Sequence, residues 1–161
     1  TMIDDTRQGA RPAWMDEADA IRAAGPRTIL FMCVANSTRS QMAEGLARSA
    51  APEGVTILSA GTMALHVNPA AVEAMAEIGI DISGQRSKGL DEIPLHEVDA
   101  VVTLCDQEVC PYVPGIRARA HWAMPDPTFA TAASGGRLPA FRSVRDAIRE
   151  RIEYLFDGWP A

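Results

Sequence analysis

From Thr28 onward, short unbroken apolar runs alternate with stretches whose apolar residues recur at three- and four-residue steps. The run Thr28-Ile29-Leu30-Phe31-Met32 predicts a buried strand over 27–32. Met42, Ala43, Leu46, Ala47 and Ala50 then mark one face of a helix over 40–50. A second strand reads over 55–59. Asn68 as cap, Pro69 at the first helical position and Gly79 as the stop frame a helix over 69–78. Ile80-Asp81-Ile82 reads as a short extended piece, and 88–93 as a minor helix ended by Pro94. Ala100 to Leu104 is apolar throughout, the mark of a strand buried on both faces. Residues 118–122 predict a fourth strand. A final helix over 140–156 carries the stripe Phe141, Val144, Ile148, Ile152 and Leu155. Upstream, 12–24 predicts one short helix with Trp14, Met15, Ala18 and Ile21 on its apolar side, while the first ten residues read equally well as a tail.

Strands alternating with helices predict an α/β fold: a single domain with a central parallel four-stranded sheet flanked by helices. The 161 residues suffice for one such domain, set over 27–161, with 1–26 as an extension. In sheets of this kind ligands bind beyond the carboxyl ends of the strands, where Cys33, Ser59 and Cys105 all fall.

A hydrophobic content of 47% with 22% charged residues is ordinary for a globular chain, and no apolar run reaches membrane-spanning length. No basic-then-apolar secretory pattern opens the sequence. The net charge of −6 argues against nucleic acid or an anionic membrane as partner, and any anionic substrate must be held by local donors. Three cysteines, an odd number, argue against a disulfide framework and suit thiol chemistry in a reducing cytoplasm.

The candidate chemistry centres on Cys33-Val34-Ala35-Asn36-Ser37-Thr38-Arg39-Ser40, between the first strand and the first core helix. Backbone N–H groups of a tight loop and of a helix N-terminus converge on a tetrahedral anion, and Arg39 grips two of its oxygens with a planar fork. The same surroundings favour Cys33 as thiolate, the attacking form. Asn36 tolerates the left-handed conformation such a loop needs, and Ser40 is placed to donate to the thiolate. Val34 to Ser40 are thus the expected oxyanion-binding residues, with Cys33 as nucleophile.

Cys105 and Cys110, with four residues between them, follow a strand that ends on the same edge as Cys33. They read as one core and one incidental cysteine, as zinc ligands together with His121, or as a thiol pair that resolves an adduct on Cys33. Zinc lacks a fourth ligand, the coexisting Cys33 loop favours the redox reading, and no metal is assigned. A Cys105–Cys110 disulfide needs an irregular segment, because residues five apart on an intact helix exceed the reach of about 7 Å between Cα atoms. Asp126, between Pro125 and Pro127, sits on a rigid turn after the fourth strand and is the candidate general acid.

The loop from Cys33 to Gly45 resembles that of the low-molecular-weight tyrosine phosphatases and of the arsenate reductases sharing their fold. Ser40-Gln41-Met42-Ala43-Glu44 is nearer the reductases, and Ser59-Ala60-Gly61-Thr62, Asn68-Pro69, Gly79 to Lys88 and Asp126-Pro127 extend the likeness. The resemblance implies arsenate reduction. Cys33 attacks arsenic while Asp126 protonates the departing oxygen, and Cys105 displaces arsenite from Cys33. Cys110 then moves the disulfide to Cys105, for thioredoxin or another dithiol to reduce. Departures from the pattern are Ala35 where glycine is frequent, predicting strain if its φ is positive, Thr38 in place of a further cysteine, and a shortened Cys105–Cys110 spacing. Some such reductases hold potassium on the equivalents of Asn36 and Glu44 and an acidic residue. Lys88, the one lysine, stands at that last position, so no cofactor is expected. Two alternatives remain: a phosphatase acting through a phosphocysteine on Cys33, and a non-catalytic thiol sensor or oxyanion-binding module.

Overall fold

The computed structural model describes residues 10–106, 112–130 and 137–160. Four parallel strands form the sheet in the order β2-β1-β3-β4: β1 Thr28–Met32, β2 Thr56–Ala60, β3 Ala100–Thr103 and β4 Ala118–His121. Ile29 lies opposite Ile57 on one side and Ala100 on the other, and Thr103 lies opposite His121. Because side chains alternate across a strand, this register sends Ile29, Phe31, Ile57, Val102 and Ala120 to one face. Leu30, Met32, Ala60 and Val101 go to the other. Every residue of β1 after Thr28 is buried, as its unbroken apolar run requires.

The larger core lies on the first face, under α1 Ala13–Ala24, α2 Arg39–Ala50, α3 Pro69–Ala76 and α4 Arg137–Phe156. The expected stripe of α4 is buried at all five positions. Asn68 caps α3 by accepting from the Ala70 N–H at 2.9 Å, and Gly79 takes φ +81° just beyond it. On the second face, among the described residues, the cover is made by two 3₁₀ turns, Leu90–Glu92 and Leu95–Glu97, with Ile93 and Ile116. The minor helix expected over 88–93 is thus a single tight turn: Pro94 lacks the N–H that a longer helix would need. Ile80 to Ile82 pair with no strand, and only Ile82 of the three is fully buried.

The predicted N-terminal helix is present as α1. Ala18 and Ile21 are fully buried, and Trp14 meets the Tyr154 ring edge-on at 5.4 Å. Arg22 donates to the backbone carbonyls of Tyr154 and Leu155. Asp19 accepts from the Tyr154 hydroxyl at 2.8 Å and pairs with Arg22 and Arg11, contacts that hold its carboxyl below the ordinary range. Glu17 accepts from the backbone N–H of His121 at 2.5 Å, on the outer strand of the sheet.

Candidate active site

The carboxyl ends of β1, β3 and β4 meet at the loop between β1 and α2. Of its residues only Asn36 has a positive φ, 47°; Ala35 does not, so the strain expected at Ala35 is absent and the left-handed turn falls on the residue able to adopt it. Three of the loop's carbonyls have backbone partners: those of Val34, Ala35 and Ser37 accept from the N–H groups of Met63, Leu65 and Asn68 at 3.0, 3.2 and 3.0 Å. The segment over 63–68 thus pairs with the loop. Gly61 is what lets the end of β2 come so close, since a Cβ there would lie 2.3 Å from the Val34 carbonyl oxygen.

Asn36 braces the loop from behind. Its Nδ2 donates to Ser40 Oγ at 2.8 Å and Ser59 Oγ at 3.0 Å, while its Oδ1 accepts from Gln41 Nε2 and the Lys88 N–H. Ser40 Oγ, which accepts from Asn36, also lies 2.9 Å from Cys33 Sγ, within hydrogen-bond distance. Ser59 in turn donates to Glu44 at 2.5 Å. Glu44 is only 2% exposed, and its charge is met by Lys88 Nζ at 3.3 Å and Arg48 at 3.3 Å. Potassium does not fit this arrangement: an ammonium already pairs with Glu44, and a basic residue stands in place of an acidic ligand.

Arg39 is buried at the mouth of α2. Its Nη1 donates to the carbonyls of Met124 at 3.0 Å and Leu104 at 3.4 Å, and its Nη2 lies 3.6 Å from Asp126 Oδ2. The guanidinium is thereby tied to both strand ends, including the residue immediately before Cys105. Asp126 caps the turn Pro127–Phe129 by accepting from the Thr128 N–H and hydroxyl.

These groups enclose a cavity of about 420 Å³, lined by Cys33, Val34, Ala35, Ser37, Thr38, Arg39 and Asp126. Asn36 and Ser40 stand behind it as supports. Leu65, His66, Asn68, Thr128 and Phe129 complete the wall. Of these only Asn68 and the Asp126 turn carried a sequence signal, and theirs concerned capping or acid chemistry. Leu65, His66 and Phe129 carried no such signal: Leu65 and His66 come near Cys33 through the pairing of segment 63–68 with the loop, and Phe129 through the turn that follows Asp126. His121 does not line the cavity; its Nδ1 lies 2.6 Å from Thr103 Oγ1, and Trp122 packs against Phe31 in the core.

Cys33 is a free thiol, whereas Cys105 is buried and disulfide-bonded. Cys110 lies outside the described residues, and so does the irregular segment expected to join it to Cys105. Among the described residues no group of three His, Cys, Asp or Glu side chains is arranged to hold a metal, and no helix is long and apolar enough to cross a membrane.

A family model, that of the low molecular weight phosphotyrosine protein phosphatases, matches residues 28–158. An arsenate reductase of Halalkalibacterium halodurans is 45% identical over 129 residues, covering 79% of this chain and 93% of that protein. The solved structure of an arsenate reductase in the phosphate-binding state is 34% identical and covers 83% of this chain and 98% of that one, with a TM-score of 0.71. A thioredoxin-dependent arsenate reductase of Corynebacterium glutamicum, 26% identical with a TM-score of 0.64, covers 91% of this chain and 68% of that one.

Proposed function

The chain belongs to the low molecular weight phosphotyrosine protein phosphatase family, and from that membership we propose that it is an arsenate reductase. Arsenate enters the loop with its oxygens on the N–H groups of Val34 to Ser40 and on Arg39. The Cys33 thiolate, stabilised by the Ser40 hydroxyl, attacks As(V), and one arsenic-bound oxygen leaves as water after protonation by Asp126. The Cys105 thiolate then attacks Cys33 sulfur. The electron pair of the S–As bond passes to arsenic, which departs as As(III) arsenite, and a Cys33–Cys105 disulfide remains. Attack by the Cys110 thiolate on Cys105 releases Cys33 and leaves a Cys105–Cys110 disulfide, which an external dithiol such as thioredoxin reduces.

The observation that carries this reading is the double tie of Arg39. One side chain that faces the oxyanion loop also holds the Leu104 carbonyl next to Cys105 and sits beside Asp126, so nucleophile, acid and second thiol share one anchor. Residues 27–161 would form the catalytic domain, with 1–26 as an accessory extension, and the cytoplasm is the compartment that keeps such thiols reducible.

The test is NADPH consumption with thioredoxin and thioredoxin reductase, with and without arsenate. Wild type turns over in an arsenate-dependent manner. Cys33→Ser loses at least about a thousandfold in rate, and Cys105→Ser and Cys110→Ser lose multiple turnover. Wild-type steady rates in both of the latter would overturn the relay. The apolar walls Leu65 and Phe129 favour a second reading, hydrolysis of aryl phosphates through a phosphocysteine, since an inorganic ion leaves them untouched. Hydrolysis of a small aryl phosphate that survives Cys105→Ser and Cys110→Ser, without arsenate-dependent turnover, would select it.

A further inference from the structure

Among the described residues, the cavity around Cys33 holds one ionisable side chain that the reaction above does not use. His66 lines it together with Cys33, Arg39 and Asp126, and among the described residues these four are the titratable groups of the wall. Its place is fixed, although it lies at the surface. The Leu65 N–H immediately before it is held by the Ala35 carbonyl at 3.2 Å and by Ser87 Oγ at 3.1 Å, and the Asn68 N–H two residues after it is held by the Ser37 carbonyl. The imidazole is thus carried on a segment bonded to the oxyanion loop itself.

The charges of the site call for such a group. Among the described residues that line the cavity, Arg39 supplies the one fixed positive charge, and it is shared with Asp126 at 3.6 Å. A doubly charged oxyanion therefore brings more negative charge to the site than Arg39 offsets, inside a chain of net charge −6. Histidine changes charge between about pH 5 and about pH 8, and as imidazolium it restores the balance at the rim.

We propose that His66, in its imidazolium form, is a substrate-binding cation of the oxyanion site, so that affinity for the tetrahedral anion rises as the pH falls through the imidazole range. The inference rests on the reading of the Cys33 loop as an oxyanion site. It concerns binding rather than the thiol relay, and by linkage the bound anion in turn favours protonation of His66.

Calorimetric titration of the reduced full chain with inorganic phosphate, at about pH 6 and about pH 8, tests it on wild type, His66→Gln and His66→Lys. Ratios between variants at one pH cancel the ligand's own titration. His66→Gln binds about fivefold more weakly than wild type at the lower pH and equally at the higher. His66→Lys, cationic throughout, matches wild type at the lower pH and exceeds it about fivefold at the higher. A wild-type to His66→Gln ratio that is the same at both pH values, or a lysine variant no tighter than wild type at the higher one, overturns the role of His66. Wild type failing to bind phosphate at either pH overturns the oxyanion reading itself, and the proposal with it.

Discussion

At the scale of single residues, Asn36 does two jobs that few side chains combine. It takes the left-handed conformation that turns the loop, and its amide joins Ser40, Ser59, Gln41 and the Lys88 backbone into one network. Alanine fails at both, with about 1–2 kcal/mol of backbone strain added to the loss of buried hydrogen bonds at about 1–3 kcal/mol. Asn36→Ala is therefore expected to lower unfolding free energy by about 3 kcal/mol in denaturant titration. Asn36→Gly should be the milder change by about 1 kcal/mol. Coincident midpoints for the two variants would show that backbone conformation is not part of what Asn36 provides. The left-handed turn was visible in the sequence because asparagine tolerates that conformation better than most residues. The partners of its amide were not visible, since Ser59 and Lys88 reach it only after β2 and the 85–88 stretch fold behind the loop.

Whole elements were easiest to read where pattern alone decides burial. The stripe of α4 and the run of β1 fell where periodicity placed them, and only the helix ends moved by a few residues. The second face of the sheet was harder, because 3₁₀ turns between Leu90 and Glu97 bury Leu90, Ile93 and Leu95 only in part and leave no helical period. How α3 and α4 are joined was not readable either. Glu77, just past α3, receives Arg142 at 2.6 Å and Arg145 at 2.8 Å from α4, and those two guanidinium groups lower its carboxyl from 4.5 to about 2. A depressed carboxylate stabilises the fold above the unfolded value and loses that contribution as pH falls. Glu77→Gln is thus expected to be less stable than wild type above about pH 4.5, with the gap closing toward about pH 2. A gap that stays constant across acid titrations followed by circular dichroism would remove charge from the α3–α4 contact.

For the molecule as a whole, the open question is what α1 contributes, since the family match begins at residue 28, beyond the end of that helix. Its burial of Ala18 and Ile21 and its grip on Tyr154 make it part of the core rather than an appendage. Removing residues through Gly25 is expected to lower the melting temperature by several degrees, given about 2–5 kcal/mol for losing buried aliphatic groups. Phosphate affinity should stay unchanged, as no residue of α1 lines the cavity. Weaker phosphate binding by the shortened chain, at temperatures where it is fully folded, would place α1 in the site after all. The carboxylate of Glu17 on the His121 amide has a further consequence. The outermost strand of a sheet is a template on which foreign strands can polymerise, and charged or covered edges are how proteins escape that fate. With a helix clasped along that margin, β4 is shielded from such pairing.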